Sequence, residues 1–77
     1  MKHELLDTVV LARDIPAHGL LAGDLGAIVE VYGSDAFEVE FVTASGRTGA
    51  LVTLQAEDIR SIEDTDLIAV RRLGRTA

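Results

Sequence analysis

The sequence predicts an all-β fold, five or six short antiparallel strands closed into a small barrel. Three features carry this expectation. Phe37-Glu38-Val39-Glu40-Phe41 alternates apolar and charged residues with the period of a strand that has one dry and one wet face. Turn signals at Gly33-Ser34-Asp35 and Ala44-Ser45-Gly46 flank it, which makes the centre of the chain a pair of hairpins. A long loop follows the first apolar run, and a single helical turn precedes the last.

Each element has its own warrant. Thr8-Val9-Val10-Leu11-Ala12 is a β-branched apolar run that ends at Arg13-Asp14, a buried first strand. Residues 14–24 hold one proline and two glycines in eleven positions, which suits a long loop with apolar anchors and not a helix. Gly23-Asp24-Leu25-Gly26 leads into a second strand over residues 26–32, and both glycines are expected to turn the chain with positive φ. No lysine stands near them and no helix follows, so they form no phosphate-cradling loop. The third strand covers residues 37–42. The fourth runs from Arg47 to Leu54, apolar at Leu51, Val52 and Leu54. Gln55-Ala56-Glu57-Asp58 is too short for a strand and forms one helical turn before a fifth strand, Ile59-Arg60-Ser61-Ile62.

This ordered set is the signature of an SH3-like barrel. An OB-fold-like barrel would place a longer helix between strands three and four, where only Ala44-Ser45-Gly46 stands. The expectation is one domain over residues 1–77, with its barrel core in 5–62 and an extension over 63–77. In the extension, Leu67-Ile68-Ala69-Val70 is favoured as a sixth strand because Ile68 and Val70 are β-branched. The alternative is a short helix capped by Asp66, carrying Leu67, Val70 and Leu73 and stopped by Gly74. Disorder is expected from about Gly74.

Composition narrows the function. A chain of 77 residues forms one core and buries only about 60% of its unfolded surface. It has no cysteine, hence no disulfide and no thiolate metal site, which suits a reducing cytoplasm. Charges in Met1-Lys2-His3-Glu4-Leu5-Leu6-Asp7 interrupt any signal peptide, and no run approaches the ~20 apolar residues of a membrane span. The expected location is cytoplasmic.

Charge is distributed unevenly. Residues 1–66 hold all 13 acids and 4 bases, a net −9, while residues 67–77 add Arg71, Arg72 and Arg75 for the total of −6. Such a body repels a phosphate backbone and attracts a basic protein. Glu30, Glu38 and Glu40 are expected on one outer face of the hairpin formed by strands two and three, with Tyr32 beside them as an aromatic anchor. A bare acidic face also serves solubility and discourages edge pairing. His18, in the long loop, is the remaining candidate for partner recognition or a pH response. His3 and His18 have no third residue at metal-ligand spacing, and no Ser/His/Asp set or enclosed carboxylate pair points to catalysis. No catalytic, metal or cofactor residue is assigned.

Across Glu4-Leu5-Leu6-Asp7-Thr8-Val9-Val10-Leu11, His18-Gly19-Leu20, Gly23-Asp24-Leu25-Gly26, Ile28-Val29-Glu30-Val31-Tyr32, Phe37-Glu38-Val39-Glu40-Phe41 and Glu57-Asp58-Ile59-Arg60, the chain resembles an uncharacterised bacterial family, the domain-of-unknown-function family numbered 4926. The resemblance spans residues 4–62. It implies a small stand-alone acidic protein whose genes lie near those of toxins or nuclease-like proteins, and so an antitoxin or immunity role. The glycine turn is also similar to the KOW element of ribosomal and transcription-factor barrels, but the basic residues that bind RNA there are missing here. The leading expectation is a non-enzymatic module that docks a basic protein, a toxin encoded nearby among the candidates. Two alternatives stand beside it: a KOW-like nucleic-acid module using the arginine tail, and a structural protein that self-associates as a homodimer through a strand edge.

Overall fold

A computed structural model describes residues 3–73. Five antiparallel strands form one sheet: β1 (Thr8–Leu11), β2 (Leu25–Tyr32), β3 (Ala36–Val42), β4 (Thr48–Gln55) and β5 (Ile59–Ser61). Their spatial order is β4-β3-β2-β1-β5, so β1 is paired on both sides although it is short. The five strands expected between residues 8 and 62 and the turns between them occur, with ends within two residues of expectation. The helical elements are two single 3₁₀ turns, Pro16–His18 in the long loop and Ala56–Asp58 before β5. The second turn ties distant parts of the sheet together. Ala12 N–H donates to the Asp58 carbonyl at 2.7 Å, and Ala56 N–H donates to the Asp35 carbonyl at 2.9 Å.

Alternation delivers the core. Phe37, Val39 and Phe41 on β3 point inward with Val9 and Leu11 of β1, Ile28 of β2 and Leu54 of β4, and Ile15 and Leu20 of the long loop close over them. An isolated bridge between Ile15 and Leu20 pins that loop, which is why two of its apolar residues are core and the rest solvated. Residues this deeply buried each contribute about 1.5–3 kcal/mol of transfer free energy.

The aspartates close turns. Asp7, Asp24, Asp58 and Asp66 each accept the backbone N–H of the residue three before, from Glu4, Leu21, Gln55 and Glu63, at 2.7 to 2.9 Å. A short acceptor held one methylene from the backbone satisfies N–H groups that turns leave open. Asp58 is buried and also takes Arg13 Nε at 2.7 Å. That Arg13 hydrogen bond, outweighing burial and helped by Gln55 N–H, holds its carboxyl below the usual range.

Two expectations need correction. Gly23 has φ +99 and turns the chain as expected, but Gly26 does not have positive φ. It lies inside β2, and a Cβ there would stand 2.6 Å from Val39 Cγ1 and 3.0 Å from Phe41 Cε2. Gly26 is present because the core side chains of β3 need its space. The extension, second, is neither a sixth strand nor a helix: residues 64–73 join no ladder and leave the sheet as an arm. Its ends are held by side-chain ion pairs in place of backbone pairing. The disorder expected from Gly74 lies outside the described residues.

Candidate functional site

The acidic face depends on one extra residue. Along β2, Ile28 and Glu30 have the same parity, so strict alternation would send both side chains into the core. Ile28 pairs with Val39 and Glu30 pairs with Glu38, which leaves Val29 as a bulge between them. Past the bulge the faces exchange: Val31 comes opposite Phe37, and Glu30 and Tyr32 turn outward. Glu40, two residues from Glu38 on β3, lies on the same outer face opposite Ala27.

Glu30 and Glu38 are thus direct cross-strand neighbours of like charge, an arrangement that costs on the order of several tenths of a kcal/mol. The neighbouring strand β4 contributes the compensation. Thr53, paired with Glu38, donates its hydroxyl to Glu38 Oε1 at 2.5 Å, and the Thr48 hydroxyl donates to Glu40 Oε2. Two of the three carboxylates are therefore held in place by neutral donors that leave their charge intact. Tyr32 is half exposed at the end of the row. Its phenol is raised above the ordinary value by partial desolvation, then by the charges of Glu38 and Glu30, and by a hydrogen bond to Glu38, so it stays protonated beside them.

No ion pair among the described residues includes Glu30, Glu38 or Glu40. The three that form are Arg13–Asp58, Arg60–Asp66 and Arg71–Asp24. Four of the five residues singled out from sequence are therefore together on one face. His18 is not with them: it ends the Pro16–His18 turn on the long loop, exposed, and no hydrogen bond or ion pair among the described residues links its side chain to the glutamates.

A second feature escaped the sequence. Arg71 reaches back 47 residues to Asp24, with Nη2 at 2.5 Å from Oδ2 and Nε at 2.9 Å from Oδ1, and Nη2 also donates to the Gly19 carbonyl at 3.0 Å. The Arg71 hydrogen bond is the main reason that the Asp24 carboxyl is lowered, against desolvation and with help from Leu21 N–H. Nothing in the spacing of the chain announces this contact; its only trace is an arginine cluster following an acidic body.

The model of a family described as "Domain of unknown function (DUF4926)" matches residues 5–61. The chain belongs to the DUF4926 family. The matched segment contains all five strands and every one of Glu30, Tyr32, Glu38, Glu40 and His18, whereas the arm lies beyond it. No curated protein and no solved structure matches this DUF4926 chain. Among its described residues no helix is long and apolar enough to cross a membrane, and no group of three or more His, Asp or Glu is placed to hold a metal ion.

Proposed function

We propose that this DUF4926 protein is a non-enzymatic binding module that docks a basic protein on the face formed by Glu30, Tyr32, Glu38 and Glu40. The observation that carries it is the row of carboxylates with no ion-pair partner among the described residues, two of them oriented by Thr48 and Thr53. Ordered charge of one sign with an aromatic at its end suits the capture of arginine or lysine side chains, because the entropy of arranging the acceptors is already spent within the fold. The bacterial cytoplasm is the setting and a toxin encoded nearby the partner, which makes the role that of an antitoxin or immunity protein.

Nucleic-acid binding through the tail has less support, since Arg71 is engaged by Asp24 and Gly19. The test is affinity capture from the host with the tagged protein, followed by purification of whatever basic protein is retained. Its affinity for the wild type should fall steeply with salt and drop at least about tenfold for Glu38→Lys/Glu40→Lys, a loss of about 1.4 kcal/mol. Equal binding of both forms would remove the assignment of this face.

A further inference from the structure

Beyond the acidic face, the arm has a design of its own. It is fixed at two points. Asp66 makes a two-pronged pair with Arg60, at 2.9 Å to Nη1 and 2.8 Å to Nη2. Arg71 makes the second, with Asp24 and the Gly19 carbonyl, and Leu73 packs against the core beside Gly49 and Thr43. Between these anchors residues 67–70 belong to no strand and make no hydrogen bond among the described residues, and Leu67 and Val70 are 94% and 96% exposed. Behind the arm lies a crevice of about 730 Å³, lined by Val10, Leu25 and Val42 on the barrel side.

We propose that the hook formed by Arg71, Arg72 and Leu73 is exchangeable between two copies of this chain. The dimer that results has each hook closed on Asp24 and Gly19 of the other copy. The receptor is built entirely on the barrel, 47 and 52 residues from the arginine that fills it, so its fit is the same whichever copy supplies the hook. The charges favour this occupant: the hook carries two arginines and the body a net −9. The link from Asp66 to Arg71 is five Cα steps, up to about 17 Å when extended, and redirecting it breaks no hydrogen bond of its own. Exchange about a two-fold axis brings the two links past one another, so that Leu67 and Val70 of each copy gain apolar cover they lack in the closed single chain.

The test uses two full-length variants, Asp24→Arg and Arg71→Asp. Neither can close its own hook or that of an identical copy, since arginine then faces arginine or aspartate faces aspartate. Mixed together, each hook finds an opposite charge only on the other variant. Light scattering should show monomers for each alone and twice that mass for the mixture. A mixture that stays monomeric, with both variants showing cooperative thermal unfolding, overturns the proposal. If either variant fails to fold, isotopically light and heavy wild-type protein is mixed at high concentration and weighed by native mass spectrometry. Mixed-mass dimers that vanish with Arg71→Ala support exchange. Monomers alone, or dimers indifferent to Arg71→Ala as edge pairing would give, refute it.

Discussion

Replacing Gly26 by alanine tests the packing of this barrel at its tightest point. A Cβ at residue 26 would lie 2.6 Å from Val39 Cγ1 and 3.0 Å from Phe41 Cε2, with Val39 fully buried and Phe41 nearly so. Neither neighbour can move outward, because both are packed within the core cluster. Overpacking of this kind costs about 1–3 kcal/mol, and the lower conformational entropy of the unfolded alanine chain returns about 0.4–1 kcal/mol. The net loss is roughly 1–2 kcal/mol, which in a domain of this size lowers Tm by roughly 5–15 °C. Gly23→Ala is the comparison: its φ of +99 strains any side chain, yet nothing stands within 4 Å of the new Cβ. Both variants lose stability, for different reasons, and a double-mutant cycle separates them. Val39→Ala removes the atom that residue 26 would strike, so Gly26→Ala and Val39→Ala together should cost less than their sum by about 1 kcal/mol, while Gly23→Ala and Val39→Ala should add. Chemical denaturation supplies the free energies. A Gly26→Ala protein within about 0.5 kcal/mol of wild type, or strict additivity with Val39→Ala, would show that close approach is not why glycine stands there.

Four further outcomes follow from the same structure. Deleting Val29 leaves Ile28 opposite Val39 and Glu30 opposite Glu38 in one unbroken register with Glu30 still outward, so the protein should keep cooperative thermal unfolding by circular dichroism, and loss of it would show that the bend at the bulge is itself required. Leu6 is the one non-glycine residue among those described with positive φ, at +72, and is largely exposed; Leu6→Asn should raise stability by about 0.5–1 kcal/mol in urea titrations. Asp24, Asp58 and Asp66 have folded pKa values below their unfolded ones, that of Asp66 about 2, so their stabilisation is complete above about pH 4 and is lost as pH falls through the folded values. Calorimetric Tm should therefore hold level from about pH 7 to 5 and decline between about pH 4 and 2, and a decline centred near neutrality would contradict these pairs. Glu38→Gln keeps an oxygen for Thr53 while removing the repulsion from Glu30, and should gain a few tenths of a kcal/mol at low salt that fades as salt screens the pair.

The strands were legible where one residue type settles each position. Phe37 to Phe41 alternates without exception, and the glycine-bearing turns beside it leave one hairpin arrangement. Placing Glu30 with Glu38 and Glu40 came out right, although parity alone contradicts it. Both glutamates could not be solvated while Ile28 stayed in the core unless a residue were added between them, and the bulge at Val29 is that residue. The arm was misjudged because β-branched residues speak for a strand only where an open edge has room for them. Here Ile68 and Val70 lie between two arginine–carboxylate anchors that hold the chain off the sheet. Gly26 was misjudged for a related reason: the same residue type serves a turn or a close approach, and only the rings and methyls of β3 distinguish them.

The acids divide by type and by place. Each turn aspartate named above sits three residues from an N–H that it accepts, and Asp24, Asp58 and Asp66 go on to bind an arginine as well. One methylene longer and mounted on strands, Glu30, Glu38 and Glu40 reach away from their own backbone, and the donors that Glu38 and Glu40 find are uncharged hydroxyls. The aspartates therefore spend their charge within the molecule and the glutamates retain theirs. The charge of these three glutamates thus stands together on one face of the sheet, and screening it should weaken capture of a basic partner far more than it weakens the fold, because Asp58 is buried against its arginine while the glutamates stand on the outer face.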